Sequence, residues 1–139
     1  MQNTFHLPIR VYFEDTDAGG VVYHSNYLNF FERGRTEFLR HLGFEQHGML
    51  AKGDCSFVVS NLSIDYLRAA RLDDALDIVT KLTRVRAASF TFVQEAWRED
   101  ELLTRATVKI ACINPKLLRA QAIPEPIFNT ISAAIHGEN

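Results

Sequence analysis

The 139-residue chain is poor in the residues that staple or break small proteins: it has two cysteines, one tryptophan and four prolines. Cys55 and Cys112 stand far apart and form no Cys-x-x-Cys or other zinc-binding spacing. They read as two small buried hydrophobes in a reduced compartment. No run approaches the ~20 apolar residues that a membrane-spanning helix needs. The opening stretch, residues 1–11, holds Pro8, Arg10 and several polar residues, and so has no signal-peptide core. An excess of one charge is missing too. Fifteen Lys and Arg stand against seventeen Asp and Glu, for a net charge of -2. A whole-surface nucleic-acid binder leans strongly basic, so that class drops away, while a local basic patch stays open. Repeats, linkers and low-complexity tracts are also absent. What remains is a cytoplasmic protein with a single domain over residues 1–139. A chain of about this length buries roughly 68–70% of its extended surface and needs no metal or disulfide to fold.

The apolar pattern predicts the elements. Residues 5–13 alternate loosely and read as a first strand, with Pro8 marking an edge. Residues 25–42 read as a long helix, with Ser25 or Asn26 as N-cap and Gly43 past its end. Tyr27, Leu28, Phe31, Gly34, Phe38, Leu39 and Leu42 fall in one wide arc, so this helix should be pressed into a core. Arg35 falls inside the same arc. Either its stem snorkels to the edge or it pairs with Glu32, Glu14 or Asp15. Four strands follow, over residues 57–66, 76–84, 90–97 and 102–113, and the short links near Ala87-Ala88 and Glu99-Asp100 suggest an antiparallel meander. On the first of these, Val58, Leu62, Ile64 and Tyr66 should share one face. Ile127, Phe128, Ile131 and Ile135 mark a short C-terminal helix over 125–136. The fold class is therefore α+β. A five-stranded antiparallel sheet can cover one long central helix only by curling around it, and the exposed back of such a sheet invites oligomerisation.

The chemistry concentrates in residues 14–27, Glu-Asp-Thr-Asp-Ala-Gly-Gly-Val-Val-Tyr-His-Ser-Asn-Tyr. Glu14, Asp15 and Asp17 precede two glycines and a helix start. An ordinary turn capped by its aspartates would use the same residues. Two features argue for more. Gly19 and Gly20 permit close backbone approach, and the first turn of the helix presents free N–H groups with a partial positive charge. A carboxylate beside such donors is a workable acyl-transfer site, in which an amide near His24 polarises a carbonyl while an aspartate attacks it or activates water.

This motif, followed by Phe31-Glu32-Arg33 and Arg35-Thr36-Glu37, resembles the hotdog-fold acyl-CoA thioesterases. Within them it is most similar to the 4-hydroxybenzoyl-CoA thioesterase branch and its Tol–Pal-associated YbgC-like members. The run from Tyr66 to Ile78, Tyr-Leu-Arg-Ala-Ala-Arg-Leu-Asp-Asp-Ala-Leu-Asp-Ile, resembles that subfamily's second hairpin. The resemblance implies a hotdog fold without cofactor or metal, and Asp17 as the catalytic carboxylate. It implies the His24 amide as the donor to the thioester carbonyl, with Tyr23 and Asn26 lining or stabilising the helix start. It also implies a dimer of dimers with shared sites, and an acyl-CoA or acyl-carrier-protein substrate. Arg84, Arg86, Arg68 and Arg71 are either a solvated rim or contacts to the phosphates of coenzyme A.

Other readings of the same residues are weaker. A hotdog dehydratase would use His24 as base with a helix acid such as Glu37, but needs a His-Phe-Pro-Gly loop where this chain has Tyr-His-Ser-Asn-Tyr. A non-catalytic acyl-binding scaffold would have no need of Asp17. A metal site from Asp17, His24 and His41 lacks the helical i,i+4 spacing. His6, His41, His47 and His136 read as surface or capping residues.

Overall fold

The computed structural model describes residues 3–44 and 55–137. In chain order its elements are β1 (Thr4–Arg10), a 3-10 turn (Phe13–Asp15), α1 (Asn26–His41), β2 (Ser56–Tyr66), β3 (Ala75–Val85), β4 (Ser89–Arg98), β5 (Glu101–Asn114), the two-residue β6 (Arg119–Ala120) and α2 (Glu125–Ile135). Both expected helices and all five long strands are present. β6 is an addition, pairing with the end of β5. β1 stops at Arg10 rather than at Phe13, because the Asp15 carboxylate accepts the Tyr12 amide and closes the chain into a turn. His47 lies outside the described residues.

All strands pair antiparallel, in the order β1-β3-β4-β5-β2. The expected meander holds for β3, β4 and β5, which tight turns connect. β2 departs from it and pairs with β5 at the opposite edge. Residues 67–74 carry the chain back across β5 and β4 to β3, a traverse of about 14 Å at the spacing of neighbouring strands.

The sheet presents Leu76, Ile78 and Leu82 of β3, Phe90, Phe92 and Ala96 of β4, and Ala106, Val108, Ile110 and Cys112 of β5 to a buried cluster. α1 enters that cluster with Tyr27, Phe30, Phe31, Phe38, Leu39 and the following Leu42. Phe30, absent from the expected arc, is fully buried, whereas Leu28 is 37% exposed. The contact stripe is centred on Gly34 and Phe38, so it includes the residue one turn before Gly34 and leaves Leu28 at its margin. α2 packs against β3 and adds Ile127, Ile131 and Ala134. An antiparallel sheet on one long central helix, with a short C-terminal helix, is the expected hotdog arrangement.

Gly34 lets α1 approach the sheet. A Cβ there would lie 2.6 Å from Thr80 Oγ1 and 3.1 Å from Ile78 Cγ2, inside contact distance. Below it a polar group sits in the core. Gln94 Nε2 donates to Phe31 O at 2.8 Å and to Thr80 Oγ1 at 2.9 Å. Its Oε1 accepts from Arg35 Nη1 at 2.9 Å. Arg35 therefore bonds neither Glu14 nor Asp15, and it does not simply snorkel. Burial lowers its pKa, with the charge of Glu32 opposing. The neutral partner was invisible because Gln94 lies on a strand 59 residues away.

β2 also corrects the expected alternation. Its register against β5 slips between Val59 and Asn61, leaving Ser60 as the extra residue of a bulge. Val59 and Leu62 then stand opposite the buried Ile110 and Val108, on the inner face. Val58 stands opposite Ala111 on the other face, so it does not join Leu62. Val59, Leu62 and Tyr66 remain 49%, 39% and 46% exposed, which marks this edge as uncovered within one chain.

Cys55 and Cys112 form no disulfide and are fully buried, as their reading as small hydrophobes requires. Burial and the neighbouring Cys55 push the Cys112 thiol up to about 12, so it stays a neutral thiol. No helix among the described residues is long and apolar enough to cross a membrane.

Candidate active site

The segment between β1 and α1 folds into a small hairpin. Thr16 bridges Val22, Asp17 N donates to Val21 O at 2.9 Å, and Gly20 N returns to Asp17 O at 3.0 Å. Gly20 takes φ +81°, the left-handed conformation this turn requires. The hairpin is sewn to the 66–71 segment, since Val22 N donates to Ala70 O at 2.8 Å and Val21 bridges Arg71. Ala70 N in turn donates to the Tyr27 hydroxyl at 3.2 Å.

The two aspartates of the motif have opposite surroundings. Asp15 is buried, and each of its oxygens is spoken for. Oδ2 accepts from Tyr12 N at 2.8 Å, Oδ1 accepts from Asn26 Nδ2 at 2.7 Å, and its backbone carbonyl accepts from Tyr23 N at 2.9 Å. It joins turn, hairpin and helix. Asp17 sits exposed at the hairpin tip, where among the described residues only Oδ1 is engaged, by Gly19 N at 2.8 Å. Asn26 thus acts on the loop from inside the first helical turn. Tyr23 is 48% exposed and its ring lies tilted against the His24 ring, with centroids 4.6 Å apart.

His24 stands two residues before α1, next to its N-cap Ser25. Its backbone N–H and that of Ser25 have no intramolecular acceptor among the described residues, whereas Asn26 N donates to Tyr23 O at 2.8 Å. Beside them opens a cleft of about 300 Å³ lined by Val22, His24, Tyr27, Tyr66, Leu67, Arg68 and Ala69. Mostly apolar walls bordered by His24, whose N–H has no intramolecular acceptor among the described residues, suit an acyl thioester with its chain against Val22 and the tyrosines. Tyr66 enters the expected site only as an inward strand residue, yet its hydroxyl reaches the His24 carbonyl at 2.9 Å.

The arrangement brings His24, Tyr23 and Asn26 to one helix start. Within one chain Asp17 does not line the cleft. Arg84 and Arg86 do not either, since they end β3 at the end of the sheet away from Val21 and Arg71, about 30 Å along the strand. Of the four arginines of the basic group, Arg68 alone borders the cleft, 64% exposed and 3.2 Å from Glu101. Among the described residues no group of three or more metal-ligating side chains occurs.

The profile of the Thioesterase superfamily matches residues 19–104, a span that contains His24, Tyr27, Tyr66 and Arg68. The chain is 46% identical over 136 residues to the acyl-CoA thioesterase YbgC of Haemophilus influenzae, covering 98% of this chain and 97% of that protein. It is 45% identical over 124 residues to the acyl-CoA thioester hydrolase YbgC of Escherichia coli, covering 88% and 92%. A solved probable thioesterase from Bartonella henselae superposes with a TM-score of 0.82 at 40% identity, covering 87% of this chain and 99% of that one. A helix start with open amides, on a sheet that solved thioesterases share, is here joined to sequence identity along nearly the whole chain. On those grounds the chain is a thioester hydrolase of the thioesterase superfamily, within the family of the YbgC acyl-CoA thioesterases.

Proposed function

We propose that this chain hydrolyses acyl-CoA thioesters to the free acid and coenzyme A, with Asp17 as the reacting carboxylate and the His24 amide as donor to the thioester carbonyl. The observation that carries this reading is the free N–H groups of His24 and Ser25 at the head of α1, where His24 borders an apolar cleft, next to a hairpin that ends in an exposed carboxylate. Water's oxygen ends on the acyl carbon, the C–S bond breaks, and the departing thiolate takes a proton. Asp17 either forms the first C–O bond itself or removes the proton from the attacking water.

The open cleft and the uncovered β2 edge support assembly into a dimer of dimers, in which a second chain closes the site and brings Asp17 and His24 of different chains within reach. The same assembly is what would let Arg84 and Arg86 meet coenzyme A phosphates, while Arg68 can do so from its own chain. Light scattering should give about four chain masses, and a fully active monomer would sink the shared site. An acyl carrier protein presents the same pantetheine thioester and belongs to the proposed substrate class. Two buried cysteines outside any disulfide fit a cytoplasmic setting, and the Tol–Pal association rests on subfamily resemblance.

Incubation with a panel of acyl-CoAs, followed by free-thiol detection, tests the reading. Steady thiol release is the expected result. Loss of water without thiol would favour a dehydratase, and binding without turnover would leave a scaffold.

A further inference from the structure

Among the described residues, one side-chain bond joins the sheet edge to the head of α1 through a donor outside the buried core. Tyr66, the last residue of β2, donates its hydroxyl to the His24 carbonyl at 2.9 Å. Its ring is held from two sides, edge-on to Tyr27 at 5.7 Å and to His24 at 6.2 Å between centroids. Tyr27 is in turn tied to the 66–71 segment through Ala70 N. The backbone amides of Leu67 and Arg68 both donate to Leu103 O, at 2.8 and 3.0 Å, so the strand end that carries Tyr66 is itself anchored.

The chemical consequence follows from which carbonyl is bonded. In the helix interior each carbonyl is taken by an amide one turn on. Here the first helical contacts are Asn26 N to Tyr23 O and Leu28 N to Ser25 O, and the His24 carbonyl between them is held by Tyr66 instead. That bond fixes the plane of the His24–Ser25 peptide. It also draws electron density toward the carbonyl oxygen and makes the Ser25 N–H of the same peptide a stronger donor. The preceding peptide receives the same treatment, because Asn26 N bonds the Tyr23 carbonyl on the other side of the His24 N–H. Both open amides therefore belong to peptides whose carbonyls are already engaged.

We propose that Tyr66 is a positioning residue of the hydrolytic site: through the His24 carbonyl it fixes the His24–Ser25 peptide and polarises the Ser25 N–H, which shares the thioester oxygen with the adjacent His24 amide. This rests on the reading of His24 as the carbonyl-binding amide. Burial, with the nearby Tyr27, keeps the Tyr66 phenol above its ordinary pKa, so it remains a donor throughout the neutral range. The hydroxyl acts through the backbone and does not touch the reacting atoms. It should therefore matter where charge builds on the oxygen, in the transition state, more than in the bound substrate.

The test is Tyr66→Phe, which keeps the ring and its edge contacts and removes the hydroxyl alone. With an acyl-CoA that the wild type hydrolyses, kcat should fall about tenfold, the size of one neutral hydrogen bond, with KM nearly unchanged. Melting temperature should move little, since the bond is exposed and the ring stays. A second measurement uses the infrared carbonyl stretch of a bound acyl-CoA in the Asp17→Asn background. Adding Tyr66→Phe to that background should shift the band back toward its free-solution frequency. Wild-type kcat with an unshifted band would overturn the positioning role while leaving thioester hydrolysis intact, and so would a rise in KM alone. Absence of turnover by the wild type would overturn both together.

Discussion

The middle and the head of α1 treat polar groups in opposite ways. At the middle, Gln94 spends both donors and its acceptor on Phe31 O, Thr80 Oγ1 and Arg35, in a space so tight that only Gly34 fits above it. A buried polar group that is fully bonded has one low-energy arrangement, so this cluster sets how the helix sits on the sheet. At the head, the amides of His24 and Ser25 have no intramolecular acceptor among the described residues, and Asp17 projects from a hairpin tip. Saturation locks one region and leaves the other's donors to a ligand. The lesson is that a site can be recognised by which polar groups the fold declines to pair.

Breaking the head should cost rate without stability. Asp17→Asn keeps the size of the side chain and an oxygen for the Gly19 amide, but can neither attack nor accept a proton well. Its kcat should drop by about 10²–10⁴-fold with the melting temperature unchanged. A wild-type rate would reduce Asp17 to a loop-shaping residue.

Breaking the middle should do the reverse. Gly34→Ala puts a methyl 2.6 Å from Thr80 Oγ1, on a buried strand that cannot retreat. A destabilisation of about 1–3 kcal/mol is expected from such overpacking. Chemical denaturation would show it as a lower midpoint, and an unchanged midpoint would mean that helix and sheet are less tightly registered than the contacts indicate.

Asp15 sharpens the contrast because it lies in the same motif as Asp17 and behaves like the middle. Asp15→Asn turns one carboxylate oxygen into a donor that faces either Tyr12 N–H or Asn26 Nδ2. About 1–3 kcal/mol of stability should be lost, with activity falling only as far as the helix head loosens. A variant as stable as the wild type would show that the loop holds without this bridge.

The smallest effect concerns the ion cluster beside the cleft, where Arg98 bonds Asp74 at 2.7 Å and Glu101 at 2.5 Å. Burial works against ionisation of Asp74, but the Arg71 amide and Arg98 outweigh it and hold the carboxyl below its ordinary value. A lowered folded-state pKa adds stability that is present above the unfolded value and lost as pH falls through the folded one. Asp74→Asn should therefore lower the melting temperature by a few degrees at pH 7, an effect that fades as pH falls below about 4. A pH-independent difference would mean that packing, not charge, ties Asp74 to Arg98.

How much of this was legible beforehand depended on whether the information is local. Helix and strand positions follow from apolar spacing and caps, which act within a few residues, so α1, α2 and the five long strands were readable. The acidic-glycine motif and the helix start are contiguous, which is why Asp17, His24, Tyr23 and Asn26 could be picked out together. Spacing could not show that Ser60 is a bulge turning Val58 away from Leu62, because a bulge exists only relative to the partner strand. Nor could it show that β2 pairs at the edge beside β5, or that Arg35 is answered by Gln94 and the His24 carbonyl by Tyr66. Those are contacts across dozens of residues, between groups whose types fit many partners. By itself the sequence determined which segments must bury an apolar face and which loop concentrates carboxylates beside free amides. Only the tertiary structure decided which of those carboxylates is consumed by the fold, because a hydrogen bond is allotted by position in space and not by place in the chain.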